Sequence, residues 1–203
     1  MPPSITVIMP TIGRPTLSRT IESILPQMGD EDQIYLVWDR DEVPSNRTPD
    51  DPRITHRTFL TPPDTPKPWV GQPQRCFALD HASEMRDLLM WMGDDDLMAG
   101  GALDAVRKCA ARHPGQVILC KFRGWWPPRP VIWLDEMAPV ERFQEGWLSD
   151  HSIICWNEPE KLGRFGMHYQ GDWTFIKETV ENFGGLSRVV WLDKLVAILR
   201  PSL

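Results

Sequence analysis

The sequence predicts an α/β fold in which helices flank a mostly parallel central sheet. Short apolar segments alternate with amphipathic ones through residues 1–122, in the order β-α-β-loop-α-β-α-β. This alternation is typical of a doubly wound parallel sheet. The length of 203 residues suits one domain. The chain is 41% hydrophobic and 25% charged, which is the balance of a globular protein and excludes a disordered one.

The first elements are bounded by prolines. Residues 5–9 are a short, mostly β-branched apolar run, which predicts a buried strand that ends at Pro10. A helix follows over residues 17–25 and ends at Pro26, and its apolar face has side chains at helical spacing: Leu17, Ile21, Ile24 and Leu25. Residues 33–38 predict the second strand.

The middle of the chain combines a long loop with regular elements. Residues 40–73 contain eight prolines from Pro44 onward, and only residues 53–59 look extended. Long loops of this kind are usually functional, so we expect this one to close over a ligand. Three further regular segments are predicted before a strand at residues 116–122: a helix at 73–85, a strand at 88–92 and a helix with Leu103, Val106 and Ala110 on one face.

The second half is less regular. Residues 131–134 and 152–156 predict short strands, and residues 172–183 predict a helix with an apolar stripe. Two more short strands, at residues 188–192 and 195–199, are expected to close the chain. The aromatic, proline-rich segment around Trp125 and Trp126 predicts a rigid loop, which either packs on the core or offers a stacking platform for a sugar.

Polar residues follow three of the predicted strands. Thr11 and Asp39 come just after the first two, and the triplet of Asp94, Asp95 and Asp96 follows the third. In parallel sheets these positions meet at one edge, where ligands bind. Adjacent carboxylates repel one another, and a hard cation such as Mg²⁺ or Mn²⁺ would relieve the repulsion and bind a diphosphate. The alternative is a solvated acidic turn that caps the next helix.

Other classes of protein have little support. The sequence has no P-loop, no glycine-rich dinucleotide motif and no serine-hydrolase elbow, and His151 and His168 lack partners at metal-ligand spacing. The net charge of -6 disfavours a partner held along a nucleic-acid duplex. The four scattered cysteines are expected to be free thiols. With no transmembrane run and no export signal, we expect a cytoplasmic protein.

Several short motifs together resemble those of family-2 glycosyltransferases. Residues 10–15 are similar to the family's P-T-Y-N-R-P opening, and the aspartate triplet is similar to its D-x-D motif. The other matching segments follow in the family's order: Asp39, residues 71–75, residues 160–165 and residues 171–173. The departures are Ile12 in place of an aromatic residue, Cys76 in place of asparagine, Gly171 in place of glutamate, and no histidine near Arg200.

The resemblance implies a GT-A fold and a metal-dependent, inverting sugar transfer. It implies one domain over residues 1–203, with a nucleotide-sugar half at 1–122 and an acceptor and catalytic-base half at 123–203. A UDP-sugar is the expected donor, and Mg²⁺ or Mn²⁺ would be held by Asp94 and Asp96. Asp172 would be the catalytic base. The donor would be held by Pro10, Thr11, Arg14, Asp39, Arg75, Asp94 and Asp95.

Alternatives stay open at this level. The acceptor could be a glycan, a protein, a small molecule or a modified base in DNA, and Trp125 and Trp126 are the candidate acceptor residues. Lys67 and Trp69 are candidate donor contacts. Asp172 could instead be a helix N-cap. A non-catalytic nucleotide-sugar-binding module is a second class of function, while a nucleotidyltransferase would need a glycine-rich loop that the chain lacks.

Overall fold

The computed structural model describes residues 2–44, 47–64, 71–124 and 137–201. Eight strands form one sheet that draws on both halves of the chain. In chain order they are β1 (Ile5–Thr11), β2 (Gln33–Trp38), β3 (Ile54–Thr58), β4 (Leu88–Trp91), β5 (Leu97–Met98), β6 (Val117–Arg123), β7 (Ile153–Trp156) and β8 (Val189–Ile198). The helices are α1 (Leu17–Ile24), α2 (Gln72–Asp80), α3 (Ala102–Arg112), α4 (Pro139–Arg142) and α5 (Gly171–Asn182).

The sheet is mostly parallel, as the sequence predicts. Its strand order is β3-β2-β1-β4-β7-β6-β8-β5. β1 runs parallel to both β2 and β4, β3 is parallel to β2, and β6 is parallel to β8. Only β7, between β4 and β6, and the two-residue β5 at the edge run antiparallel to their neighbours. The carboxyl ends of β1, β2 and β4 therefore lie together at one edge of the sheet.

Helices cover both faces of the sheet. On one face α1 and α3 bury the apolar stripes that their spacing predicts, including Ile21, Ile24 and Val106, against β1, β2 and β4. On the other face α2 and α5 pack with residues such as Phe175 and Ile176 around Trp91. Trp91 and Phe175 lie edge to face with ring centroids 4.7 Å apart. Burial on both faces explains why the central strands read as continuous apolar runs.

Two predictions about the C-terminal strands are corrected. The segments predicted as separate strands at residues 188–192 and 195–199 form the single strand β8. Asp193 and Lys194 interrupt the apolar pattern, but Lys121 pairs with Asp193 at 2.5 Å and Lys194 Nζ donates to the carbonyl of Gly100 at 2.9 Å. The register against β6 shifts near Lys121, so a bulge absorbs the polar pair without ending the strand.

Other element boundaries differ by short turns. The helix predicted to run to residue 85 ends as α2 at Asp80, and a 3₁₀ turn follows at Ala82–Glu84. The helix predicted to end at Leu25 ends at Ile24, where Pro26 lies in a 3₁₀ turn. The predicted strand at residues 131–134 lies outside the described residues.

The four cysteines are free thiols, as predicted. Among the helices of the described ranges, none is both long and apolar enough to cross a membrane.

Candidate active site

A cleft of about 110 Å³ opens at the carboxyl ends of β1, β2 and β4. The loops after these strands meet there because β1 is parallel to both of its neighbours. Of the nine predicted donor contacts, the seven in the described part of the chain all lie in its wall, although their binding roles stay predictions. The wall is formed by Pro10, Thr11, Ile12, Arg14, Asp39, Gly71, Gln74, Arg75, Gly93, Asp94, Asp95 and Arg200.

Two aspartates of the triplet face this cleft. Thr11 Oγ1 donates to Asp94 Oδ2 at 2.7 Å. The Arg14 guanidinium forms ion pairs with both carboxylates. Its Nη1 lies 2.6 Å from Asp95 Oδ2, and its Nε lies 3.4 Å from Asp94 Oδ1. Burial raises the pKa of Asp94, against the hydrogen bond from Thr11 and the charge of Arg14. The sequence alone suggested that these carboxylates repel one another without a cation. In the structure, Arg14 supplies a positive charge to both of them.

Asp96 has a different environment from its two neighbours. It is 3% exposed and does not line the cleft. Its Oδ2 accepts hydrogen bonds from the Gly93 amide at 3.0 Å and from His151 Nε2 at 2.7 Å, and its Oδ1 accepts one from the Arg200 amide at 2.9 Å. Although burial opposes the change, His151 lowers the pKa of Asp96. These bonds fix the turn, and a role for Asp96 as a metal ligand stays a prediction.

Two threonines at the start of α1 hold the backbone of the triplet. Thr16 Oγ1 donates to the carbonyl of Asp94 at 2.9 Å, and Thr20 Oγ1 donates to that of Asp96 at 2.7 Å. They lie four residues apart, on one face of the helix. Sequence reasoning missed them, although the buried Thr20 within the apolar stripe of α1 was an available signal.

A divalent metal would depend on the two aspartates that face the cleft. In the described ranges, no group of three or more His, Cys, Asp or Glu side chains is arranged to hold a metal ion. Mg²⁺, however, commonly takes one or two carboxylates and completes its shell with water and substrate phosphates. The oxygen donors present therefore fit Mg²⁺ or Mn²⁺, with Asp94 and Asp95 as the carboxylates that line the cleft.

Thr61 binds two residues of the cleft wall, Asp39 and Gln74. The Thr61 amide donates to Asp39 Oδ1 at 2.7 Å, and its Oγ1 accepts from Gln74 Nε2 at 2.5 Å. Asp39 is itself fixed by its amide, which donates to the Thr11 carbonyl at 2.9 Å and continues the β1–β2 pairing. Thr61 and Gln74 were not among the predicted residues, because a loop residue and one helical glutamine carry no periodic signal.

A buried ionic network lies behind the cleft. Arg75 donates from Nε and Nη2 to Asp150 Oδ2 at 2.7 and 2.6 Å, and His151 Nδ1 is 2.9 Å from Asp150 Oδ1. Although burial opposes the change, Arg75 and His151 hold the pKa of Asp150 well below its usual value. Burial alone would lower the pKa of His151, but Asp150 and Asp96 raise it to about 10. His151 is therefore a buried cation paired with two carboxylates.

Asp172 lies next to this network, in the first turn of α5. Gln72 Nε2 donates to its Oδ1 at 3.2 Å, and Asp150, Arg75 and His151 act on it electrostatically. Burial, followed by the charge of Asp150, raises the pKa of Asp172 to about 7. The alternative prediction of an N-cap is wrong, because the cap position of α5 is Gln170. A carboxyl that titrates near neutral pH can accept a proton in a reaction.

Gly171 accounts for one departure from the family pattern. A Cβ at this position would overlap the carbonyl oxygen of Gly166 and would lie 3.2 Å from Gln72 Cγ. The glutamate that the family has here therefore has no room in this chain. The close contact also fixes the backbone that carries Asp172.

Arg200 is a cleft residue for which no role was predicted. Its Nε lies 3.2 Å from Asp95 Oδ2, and its amide bonds Asp96. Among the described non-glycine residues it alone has a positive φ, 41°. Such a conformation persists where surrounding contacts hold it.

Four predicted ligand contacts lie outside the described residues: Trp125, Trp126, Lys67 and Trp69.

The chain is similar in structure to TarS of S. aureus. A crystal structure of TarS matches 98% of this chain at TM-score 0.72 and 17% identity, and the match covers 37% of the TarS chain. TarS 1-349 in complex with UDP-GlcNAc matches 98% of this chain and 59% of that chain, at TM-score 0.72 and 17% identity. The complex with UDP matches 96% and 60%, at TM-score 0.62 and 15% identity.

These matches establish the fold. The chain has the α/β fold of the TarS structures, with a mostly parallel curled sheet flanked by helices, which confirms the predicted fold class. It spans less than two thirds of the length of each of these TarS chains. No protein-family model matches the sequence, and no curated protein matches it. Membership of family 2 therefore stays a prediction.

Proposed function

We propose that this chain is a glycosyltransferase that moves a sugar from a nucleotide-sugar donor to an acceptor hydroxyl. The observation that carries the proposal is the convergence of Arg14, Asp39, Asp94 and Asp95 in one cleft at the carboxyl ends of parallel strands. Fold similarity supports it, because the matching TarS structures include complexes with UDP-GlcNAc and UDP. A UDP-sugar is the donor that we propose.

The donor would lie along the cleft from Asp39 to the aspartate turn. Asp39 would bind the nucleobase, as the resemblance implies, and the Thr61 amide holds its carboxylate in place. Arg14 would bind phosphate oxygens, because its side chain is 40% exposed and its guanidinium is already aligned by Asp94 and Asp95. Arg75 would act chiefly by shaping the wall, because Asp150 occupies its Nε and Nη2.

Asp94 and Asp95 would hold Mg²⁺ or Mn²⁺, with the donor diphosphate completing the coordination shell. Such a metal, when bound, stabilises the negative charge that develops on the leaving diphosphate. The chain itself supplies further positive charge at this place through Arg14 and Arg200, which pair with Asp95 at 2.6 and 3.2 Å. Both side chains are at least 40% exposed, so each guanidinium can turn toward a ligand.

Asp172 would be the catalytic base. Its raised pKa, about 7, keeps the carboxyl basic enough to take the proton of an acceptor hydroxyl. Gln72 Nε2 holds one carboxylate oxygen at 3.2 Å. The hydroxyl oxygen would attack the anomeric carbon as the bond to the diphosphate breaks, so the configuration at that carbon would invert.

A donor screen tests this proposal. The purified chain is incubated with UDP-, GDP- and dTDP-sugars in Mn²⁺ and in EDTA, and release of the nucleoside diphosphate is measured. We expect release from one donor class, mostly lost in EDTA, and a product of inverted configuration by NMR. Release at the full rate in EDTA would contradict the proposed dependence on a divalent metal. Tight donor binding with no release and no transfer would favour the non-catalytic module.

A further inference from the structure

Two buried carboxyl groups behind the cleft interact with each other, and α2 gives each of them a different partner. Asp150 Oδ2 accepts hydrogen bonds from Arg75 Nε at 2.7 Å and from Arg75 Nη2 at 2.6 Å. Asp172 Oδ1 accepts one from Gln72 Nε2 at 3.2 Å. Gln72 and Arg75 are three residues apart on α2, so they lie on one face of that helix. The charged donor of this face is therefore bound to Asp150, and the neutral donor is bound to Asp172.

The Arg75 guanidinium acts on both carboxyl groups, although its printed hydrogen bonds go to Asp150. Arg75 is 9% exposed and Asp150 is 1% exposed, so water cannot readily replace these charge-assisted bonds. Against burial, Arg75 holds the pKa of Asp150 well below its usual value, whereas burial raises the pKa of Asp172 to about 7. Environments that separate two carboxyl groups in this way give them different roles, one as a fixed anion and one as a proton acceptor.

We propose that Asp150 is a positioning residue for the base: it binds the Arg75 guanidinium and so keeps this cation from forming an ion pair with Asp172. The inference rests on the proposed function, in which Asp172 takes the proton of the acceptor hydroxyl. Without the Asp150 charge, the buried guanidinium would lack its carboxylate partner and would turn to Asp172. An aspartate paired with a guanidinium is a weaker base. His151 also acts on Asp172, and it keeps Asp96 as a partner when Asp150 is replaced.

A pH–rate profile of Asp150→Asn tests the inference. With the donor that the screen identifies, the wild-type kcat should rise with a midpoint near pH 7. The midpoint of the variant should fall by at least about 1 pH unit, because Asp172 gains the guanidinium and loses the repulsion of Asp150. A ¹³C NMR titration of the Asp172 carboxyl should show the same fall without turnover. A merely structural role would lower the free energy of unfolding and leave the midpoint in place.

Three further variants complete the design. Asp150→Glu keeps a carboxylate for Arg75, so its midpoint should stay within about 0.5 pH unit of the wild-type value. The double variant Asp150→Asn, Arg75→Gln has no guanidinium that could turn to Asp172, and it should recover at least about half of the fall. It also leaves no Arg75 cation unpaired, so it serves where Asp150→Asn alone does not fold.

Asp51→Asn is the matched control. Arg53 donates from Nε and Nη2 to Asp51 at 2.9 and 2.7 Å, which is the same kind of pair, but neither residue lines the cleft. Its midpoint should equal that of the wild type.

The outcomes separate the inference from the function on which it rests. If the wild-type chain releases no nucleoside diphosphate from any donor, the proposed function fails and the inference with it. If the chain is active and the folded Asp150→Asn variant keeps or raises the wild-type midpoint, the inference is overturned while sugar transfer stands. An equal fall in the double variant also overturns it, because the guanidinium would then have no part in the effect.

Discussion

At the scale of single residues, the environment of Asp172 sets the expected dependence of activity on pH. Burial and Asp150 raise its pKa to about 7, so the carboxylate needed as a base forms as the pH rises through that value. The other charged groups that face it, Arg75 and the His151 cation, keep their charge across this range, since the pKa of His151 is raised to about 10.

We therefore expect kcat to rise about tenfold between pH 6 and pH 8 and then to level off. The measurement is a pH–rate profile with the donor that the screen identifies. Asp172→Asn is the control, because its residual rate should lack the step near pH 7. A wild-type profile that is flat from pH 5.5 to 8.5 would contradict the assignment of Asp172 as the base.

Asp150 offers a second test at this scale. It is 1% exposed and neutralises Arg75 while also pairing with His151. Removing one member of a buried ionic network leaves the others uncompensated, so Asp150→Asn should lower the free energy of unfolding by about 3 kcal/mol. Urea denaturation measures this change. The exposed pair of Lys108 and Asp104 is the control, and Asp104→Asn should cost less than about 1 kcal/mol. Equal effects of the two variants would show that the network is not a major source of stability.

At the scale of elements, the position of α5 depends on a close contact at Gly171. An alanine there would push against the Gly166 carbonyl and Gln72, and the first turn of the helix would have to move. We expect Gly171→Ala to lower kcat at least about tenfold, because small displacements of a catalytic group are costly. Gly100→Ala is a matched control with open space around its Cβ. If both variants keep the wild-type rate, the contact does not position Asp172.

Elements also show what the sequence could predict. The sequence predicted β1, β2 and β4 from apolar runs that end near a proline or an aspartate. Because ligands bind beyond the carboxyl ends of parallel strands, it also predicted that Thr11, Asp39 and the aspartate triplet lie close together. Asp150 and His151 were missed because they lie in a 3₁₀ turn before a short strand, where no periodic pattern marks burial. Their partners are distant in sequence, and only the folded chain brings them together.

At the scale of the whole molecule, a single sheet joins the two proposed halves of the site. Strands from both halves are neighbours in it, since β4 pairs with β7. The network from Asp96 through His151 and Asp150 to Arg75 connects the turn after β4 with α2, beside the start of α5. The donor cleft and the proposed base are thus held by one packed framework. We expect substitutions in the cleft to weaken donor binding, and substitutions at the base to lower the rate of sugar transfer.

The most direct test of this account compares donor binding with turnover in Asp172→Asn. The UDP-sugar that the donor screen identifies is titrated into the wild-type and variant chains with MnCl₂, and UDP release is followed under the same conditions. The account predicts donor affinities within about threefold of each other and a rate of release at least about 100-fold lower in the variant. A variant that releases UDP at the wild-type rate, or one that no longer binds the donor, would contradict it.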